Sequence, residues 1–179
     1  LDDHFGHPSS LAMRGKLNEE DIKLHYQYLN AFLKILSEEF NKEIIICIHP
    51  KDDLELKKKL FSNYKVLKYQ TREKIIESFI VIFFESTAII DAILFKKNII
   101  TVFSKFMDKS VRNASSQFKD NFKLPQIELN KNIKIDKPQL LNEFHNSKMK
   151  FENFISNYIQ IDGGNFGYKK IIGNLKKFF

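Results

Sequence analysis

The sequence predicts an α/β fold: a single Rossmann-like domain in which helices cover both faces of a parallel sheet. Wholly apolar runs such as FIVIFF lack polar alternation, which is typical of strands buried on both faces. Helical patterns lie between these runs, and strands that alternate with helices form parallel sheets. The 179 residues, 43% of them hydrophobic, suffice for one well-cored domain and are too few for two ordinary ones.

The amino-terminal part of the chain supplies the first helix and the first two strands. Residues 18–41 carry apolar side chains at helical spacing and an acidic first turn, so they predict a long amphipathic helix. The run EIIICIHP, residues 43–50, predicts a buried strand that ends at a proline. A short charged helix over 52–62 and a second strand over 65–69 complete this part.

The middle of the chain repeats the alternation. Residues 71–78 predict a helix capped by Thr71, and the apolar run over 79–84 predicts the next strand. A helix over 86–95 and a further apolar strand over 98–103 follow. A helix thus joins each strand to the next, as connections between parallel strands require.

The last third of the chain has a weaker pattern. Residues 104–125 are polar and predict a loop, whereas 126–129 and 133–135 predict short edge strands. Residues 140–159 predict a second long helix. Residues 166–179 predict a terminal helix with four lysines.

The chain is basic, with a net charge of +7 and a pI near 9.3. A positive balance suits nucleic acid, an anionic membrane face or a phosphorylated small molecule. The lysines are dispersed, and the sequence contains neither an RNA-binding aromatic motif nor zinc-ligand spacing. We therefore expect no nucleic-acid partner and favour a phosphorylated small molecule.

Cysteine usage and the terminal helix bear on location. Cys47 is the only cysteine and lies in an apolar run, which predicts a core residue in a reducing cytoplasm.

The apolar stripe and lysines of the terminal helix suit peripheral contact with an anionic inner-membrane face. Alternatively, the stripe packs on the sheet and the lysines face solvent. No apolar stretch approaches the roughly 20 residues that cross a bilayer.

Polar residues follow two of the predicted strands where these strands end. Right-handed crossovers bring the carboxyl ends of parallel strands to one sheet edge, where α/β proteins bind ligands. At the first strand, Pro50 stiffens the turn and holds His49 at this edge, beside the cation of Lys51. The imidazole can donate to a phosphate, a base or a ribose oxygen. The alternative is a plain strand terminator.

The second motif is Glu85-Ser86-Thr87, between FIVIFF and an apolar helix. Hydroxyl side chains at a helix start cap backbone N–H groups, and these groups together with the helix dipole favour anions. Alone, the motif fits a helix cap without a ligand equally well. Because both motifs fall on strands of one predicted sheet, together they predict a nucleotide-phosphate site.

A third candidate lies at the amino terminus. Asp2, Asp3 and His4 carry groups that act as a general base toward a sugar hydroxyl, although a solvated loop would look the same. The sequence lacks G-x-G-x-x-G and G-x-x-x-x-G-K-[ST], which argues against an NAD-binding Rossmann unit and a P-loop NTPase. We assign no residue to a metal and expect no cofactor.

The order of these motifs resembles a known enzyme class. An acidic start, a strand ending in His-Pro and a strand leading to Ser-Thr are similar to those of bacterial sialyltransferases and related capsule and lipopolysaccharide transferases of the GT-B type. The stretch IICIHPKDD, residues 45–53, resembles their donor-nucleotide turn. FESTAIIDAILFKKNIITV, residues 84–102, resembles the part that grips the donor phosphate. LDDHFGHPSS, residues 1–10, resembles the opening of the second domain in a group of surface-carbohydrate biosynthesis proteins.

The resemblance implies a function and a set of residue roles. His49 would contact a CMP moiety, while Ser86 and Thr87 would contact its phosphate. The chain would be one of two Rossmann-like domains, the carboxyl-terminal half of a longer glycosyltransferase that joins a CMP-sugar such as sialic acid to a glycan or glycolipid. The family's catalytic pattern, two acidic residues followed directly by glycine, is altered here, since two residues separate Asp3 from Gly6.

Two alternatives stay open. CDP-glycerol-type glycerophosphotransferases of teichoic acid synthesis also have a His-Pro turn and a serine at a strand-to-helix turn. A non-catalytic sugar-nucleotide-binding or assembly subunit would carry the same binding motifs without a partner domain for catalysis.

Overall fold

A computed structural model describes residues 19–161, except 85 and 108, together with 165–166. Within these residues, helices alternate with short strands. The first half of the chain forms α1 (Glu19–Phe40), β1 (Ile45–Ile48), α2 (Leu54–Leu60), β2 (Lys65–Lys68), α3 (Thr71–Glu77), β3 (Ile80–Phe83) and α4 (Ile89–Leu94). The second half forms β4 (Asn98–Phe103), α5 (Lys109–Phe122), β5 (Gln126–Glu128), α6 (Lys137–Phe154), a π-helical turn (Ile155–Ile159), β6 (Gln160–Ile161) and β7 (Asn165–Phe166).

The strands confirm the predicted α/β class. β1 and β2 pair in parallel, with Ile46 opposite Val66. β3, β4 and β5 form a second parallel sheet in that order, with Ile82 opposite Ile100. β6 and β7 make a short antiparallel pair. In the described part of the chain, the parallel strands thus form two sheets rather than one continuous sheet.

Helix α1 is the central support of the larger hydrophobic core. Its apolar spacing buries one face against strands of both parallel sheets, as the sequence predicts. The buried residues of this face are His25, Tyr26, Leu29, Phe32, Leu33, Leu36 and Phe40. Its carboxyl end is closed by Lys137, whose Nζ donates to the carbonyl oxygen of Glu39 at 2.7 Å, across 98 residues of sequence.

The strand β3 has helices on both of its faces. Ile80 and Ile82 pack on the core around α1, whereas Val81 and Phe83 face a second core built from α4, α5 and α6. In that second core, the ring of Phe83 lies edge-on to Phe118, with 5.3 Å between ring centres. The alternation along β3 follows from the period of two in a strand. This arrangement confirms the prediction of helices on both faces.

The predicted loop over 104–125 is wrong, because this segment contains the 14-residue helix α5. Its buried face carries Ser115, Phe118 and Phe122, which lie three and four residues apart. Phe118 and Phe122 stack with 6.2 Å between ring centres, and Phe122 also meets Phe151 of α6. Most of the remaining residues of this helix are polar, so its apolar pattern is sparse.

Three further predictions need correction. Residues 133–135 form no strand, and Ile133 and Ile135 pack on the larger core from an irregular connection. Thr71 does not cap α3, because it is the first helical residue and the cap position is Gln70, without a side-chain bond. Phe166 belongs to β7 rather than to a helix. The rest of the predicted terminal helix lies outside the described residues.

Candidate functional site

The carboxyl ends of β1 and β3 lie at one edge of the molecule. Phe40, at the end of α1, packs on Phe79 just before β3, with 6.0 Å between ring centres. Near the start of α1, His25 packs on Phe84 just after β3, at 6.2 Å. Helix α1 therefore runs antiparallel to β3, and β1 begins beside the same end of α1. This arrangement puts the residues after β1 and those after β3 at the same edge.

The turn after β1, residues 49–53, is called here the His-Pro turn. The Nδ1 atom of His49 accepts from the backbone N–H of Lys51 at 3.1 Å. The backbone N–H of Asp52 donates to the carbonyl oxygen of His49 at 3.0 Å. Because Nδ1 is an acceptor, a neutral His49 carries its proton on Nε2, which is then the donor of the ring. The imidazole is exposed.

Two neighbouring elements hold the His-Pro turn in place. Lys68, the last residue of β2, donates from Nζ to the carbonyl oxygen of Asp52 at 2.9 Å. Asp53 caps α2, since its Oδ1 accepts from the backbone N–H groups of Glu55 at 2.9 Å and Leu56 at 3.1 Å. The turn is therefore anchored to β2 on one side and to α2 on the other.

A buried polar group beneath this turn was missed in the sequence. Lys57 of α2 is only 5% exposed, and its Nζ donates to the Tyr26 hydroxyl at 2.9 Å. The same Nζ lies 5.3 Å from the centre of the Tyr26 ring, a cation–π distance. The ring of Tyr26 also meets Phe61 and His25 edge-on. In the sequence, Lys57 is one of several charged residues in a short helix, and such residues ordinarily face solvent. The sequence therefore gave no indication that this lysine is buried.

The turn after β3, residues 86–88, is called here the Ser-Thr turn. Ser86 accepts at Oγ from the backbone N–H of Ala88 at 3.2 Å, and its carbonyl oxygen accepts from Ile89 at the same distance. Helix α4 starts at Ile89, three residues later than predicted, and has no side-chain cap. Ser86 is half-buried and Thr87 is exposed. The serine hydroxyl therefore shapes a local turn instead of capping a helix.

A polar cavity of about 350 Å³ lies at the same edge, beside the ends of β4 and β5. Tyr28 of α1 forms one wall and stacks on Phe106, with 6.4 Å between ring centres. The Nζ of Lys105 lies 4.9 Å from the centre of the Phe106 ring. The cavity is lined by Tyr28, Lys105, Glu128, Leu129, Asn130, Lys131 and Asn132. Two lysines, two asparagines and a glutamate thus line this cavity, a grouping that the sequence pattern did not indicate.

The other predicted site residues lie outside the described part of the chain: Asp2, Asp3, His4 and Glu85. Among the described residues, no group of three His, Cys, Asp or Glu side chains could hold a metal ion. No helix in that part of the chain is long and apolar enough to cross a membrane. Cys47 is buried, as predicted, and burial raises the pKa of its thiol above the ordinary value.

Comparison with known proteins finds no family model, no curated protein and no solved structure that matches this chain.

Proposed function

We propose that the chain is the donor-binding domain of a glycosyltransferase that uses a nucleotide-activated sugar in capsule or lipopolysaccharide biosynthesis. The observation that carries the proposal is the shared edge of the His-Pro turn and the Ser-Thr turn, at the ends of β1 and β3. In α/β proteins, ligands bind at the carboxyl ends of parallel strands.

The His-Pro turn supplies the nucleotide contacts in this proposal. His49 donates from Nε2 to an oxygen of the base or ribose, and the exposed ammonium of Lys51 offsets the charge of the phosphate. The bonds from Lys68 and Asp53 fix the turn before a ligand arrives. A preformed turn lowers the ordering cost of binding. In the same proposal, Ser86 and Thr87 hold the phosphate.

The polar cavity favours an acidic sugar. Lys105 and Lys131 line it together with Asn130 and Asn132, and this set suits a carboxylate with hydroxyl groups nearby. A CMP-activated sugar acid such as sialic acid carries such a carboxylate. Glu128 in the same wall is available to accept from a sugar hydroxyl. Catalysis is assigned to Asp2, Asp3 or His4 as general base toward a glycan or glycolipid acceptor.

The proposed location is the cytoplasm, with peripheral contact at the inner membrane through the lysines of residues 166–179. Each lysine near an anionic leaflet contributes about 1 kcal/mol, so adsorption is expected to be weak and salt-sensitive. Sedimentation with anionic and neutral vesicles, before and after deletion of 166–179, tests this placement. Equal sedimentation of the two chains would contradict it.

Calorimetry with CMP, CDP, UDP and GDP tests the nucleotide site. We expect CMP to bind, and H49A to weaken its binding by about 1–3 kcal/mol, because the ligand oxygen that accepts from Nε2 would lose its donor. The matched control is H145A, which removes an exposed histidine from α6. Unchanged CMP affinity in H49A, or an equal loss in H145A, would contradict the assignment.

A further inference from the structure

A second cavity, of about 390 Å³, lies between β1 and β3. β1 bonds to β2 and β3 bonds to β4, but among the described residues the facing edges of β1 and β3 belong to separate sheets. The space between these edges is roofed by α1 and bordered by α3. Its volume falls within the range of about 300–1,000 Å³ that is typical of small-molecule sites.

The inner end of this cavity is apolar. Leu29 and Leu36 of α1, Phe61 after α2 and Phe84 after β3 line it, and each is at most 3% exposed. An enclosed apolar space of about 150 Å³ already admits a small hydrocarbon. The inner end therefore suits an apolar ligand and disfavours water.

The outer end is amphipathic and opens beside the amino ends of β1 and β3. Phe79 lines it and is 46% exposed, and the neighbouring Ile76 is 44% exposed. Lys42 and Lys74 line the same end together with Glu43 and Glu77, and Lys74 pairs with Glu77 at 2.5 Å. Exposed apolar side chains next to lysines are typical of surfaces that meet a lipid–water boundary.

We propose that this cavity binds the chain of a single-chain amphiphile of the fatty-acid class. The apolar chain lies between β1 and β3 with its end against Phe61 and Phe84, and the polar head stays at the outer end near Lys42 and Lys74. The exposed Phe79 stands beside the entry. This site is separate from the nucleotide site, because its opening lies at the opposite ends of the same strands.

Fluorescence titration with cis-parinaric acid tests the proposal on the whole chain. We expect a saturable rise in emission as the probe leaves water. L36F fills the cavity, so it should raise the apparent Kd by about tenfold or more. The matched control is L140F, a substitution of the same size at a buried leucine of α6 that does not line the cavity.

Modification of Cys47 provides a second measurement that needs no substitution. Cys47 lines the cavity and is the only cysteine, so oleate bound there should slow its reaction with N-ethylmaleimide. If L36F fails to fold, the rate of Cys47 modification with and without oleate tests the proposal. Absence of a saturable rise with the wild type, equal losses in folded L36F and L140F, or unchanged Cys47 reactivity with oleate would overturn the proposal. CMP titration of the same proteins reports separately on the nucleotide site.

Discussion

The His-Pro turn and the Ser-Thr turn follow neighbouring strands, yet they are held very differently. The His-Pro turn has a side-chain bond within it, a bond from Lys68 of β2 and a helix cap from Asp53. Among the described residues, the Ser-Thr turn has one side-chain bond, which Ser86 Oγ accepts from Ala88, and it leads to a six-residue helix without a side-chain cap. One turn is thus fixed by an internal bond and by two neighbouring elements, whereas the described bonds of the other are local and at about the outer limit of good geometry.

This difference suggests that the two turns have different roles at the proposed site. A turn anchored to β2 and α2 can present His49 in one orientation, which favours recognition of a particular base. A turn with few anchors can adjust around a phosphate, which has no single direction of approach. The predictions below test this contrast, from the largest expected effect to the smallest.

The largest effect is expected beneath the His-Pro turn. Y26F removes the oxygen that accepts from buried Lys57, so the free energy of unfolding should fall by about 1–3 kcal/mol. Urea denaturation measures this loss. The control is Y64F, because the Tyr64 hydroxyl donates to the Asn30 carbonyl at a longer 3.3 Å and should cost less. Equal losses would show that the Lys57–Tyr26 bond does not support the turn.

The next largest effect is expected for the side chains that bond to backbone N–H groups in the two turns. D53A removes two bonds to backbone N–H groups and should lower the free energy of unfolding by about 1 kcal/mol. S86A removes a single long bond and should cost about 0.5 kcal/mol or less. Both values come from the same urea experiment. A cost for S86A as large as that for D53A would remove the contrast between the turns.

Substitutions in the Ser-Thr turn should change ligand affinity more than they change the free energy of unfolding. Replacing Ser86 and Thr87 together with alanine should weaken CMP by about 1 kcal/mol more than it weakens cytidine, since only CMP carries the phosphate. Calorimetry below the unfolding transition measures both ligands. The control is the double alanine variant of Ser62 and Thr71, which lie outside both turns. Equal losses for CMP and cytidine would contradict the phosphate role.

The smallest effect is expected at Thr71. Because Thr71 is a helical residue and not a cap, T71A should change the free energy of unfolding by no more than about 0.5 kcal/mol. Alanine is the better helix former, so a slight gain is the expected direction. A loss near 1 kcal/mol would mean that Thr71 caps α3 in solution.

The sequence predicted the strands well where burial dictates composition. β3 and β4 are flanked by core on both faces, so nearly every side chain in them is apolar and the runs stand out. Helix α1 was equally clear, because one long face is buried. By contrast, α5 is mostly polar around Phe118 and Phe122, and its pattern is too sparse to distinguish from a loop.

The sequence predicted those features of the candidate site that nearby residues determine, and it missed those that need contacts between distant residues. The His-Pro turn is a local feature, because a proline directly after an apolar run predicts that the strand ends there in a turn. The Lys57–Tyr26 pair joins residues 31 positions apart, so no spacing rule could find it. The start of α4 was misplaced because a serine after a strand can shape a turn as readily as it caps a helix. The cavity between β1 and β3 depends on strand pairing, which composition does not determine.

The central position of α1 has a consequence for how the chain is made. Residues of α6 that cover α1, including Lys137 against Glu39, are synthesised 98 residues later. At a ribosomal rate of about 5–20 residues per second, the apolar face of α1 waits roughly 5–20 s for that cover. Strands β1 to β4 are synthesised before α6, so during this interval the apolar face of α1 packs on these strands and only its cover from α6 is still missing.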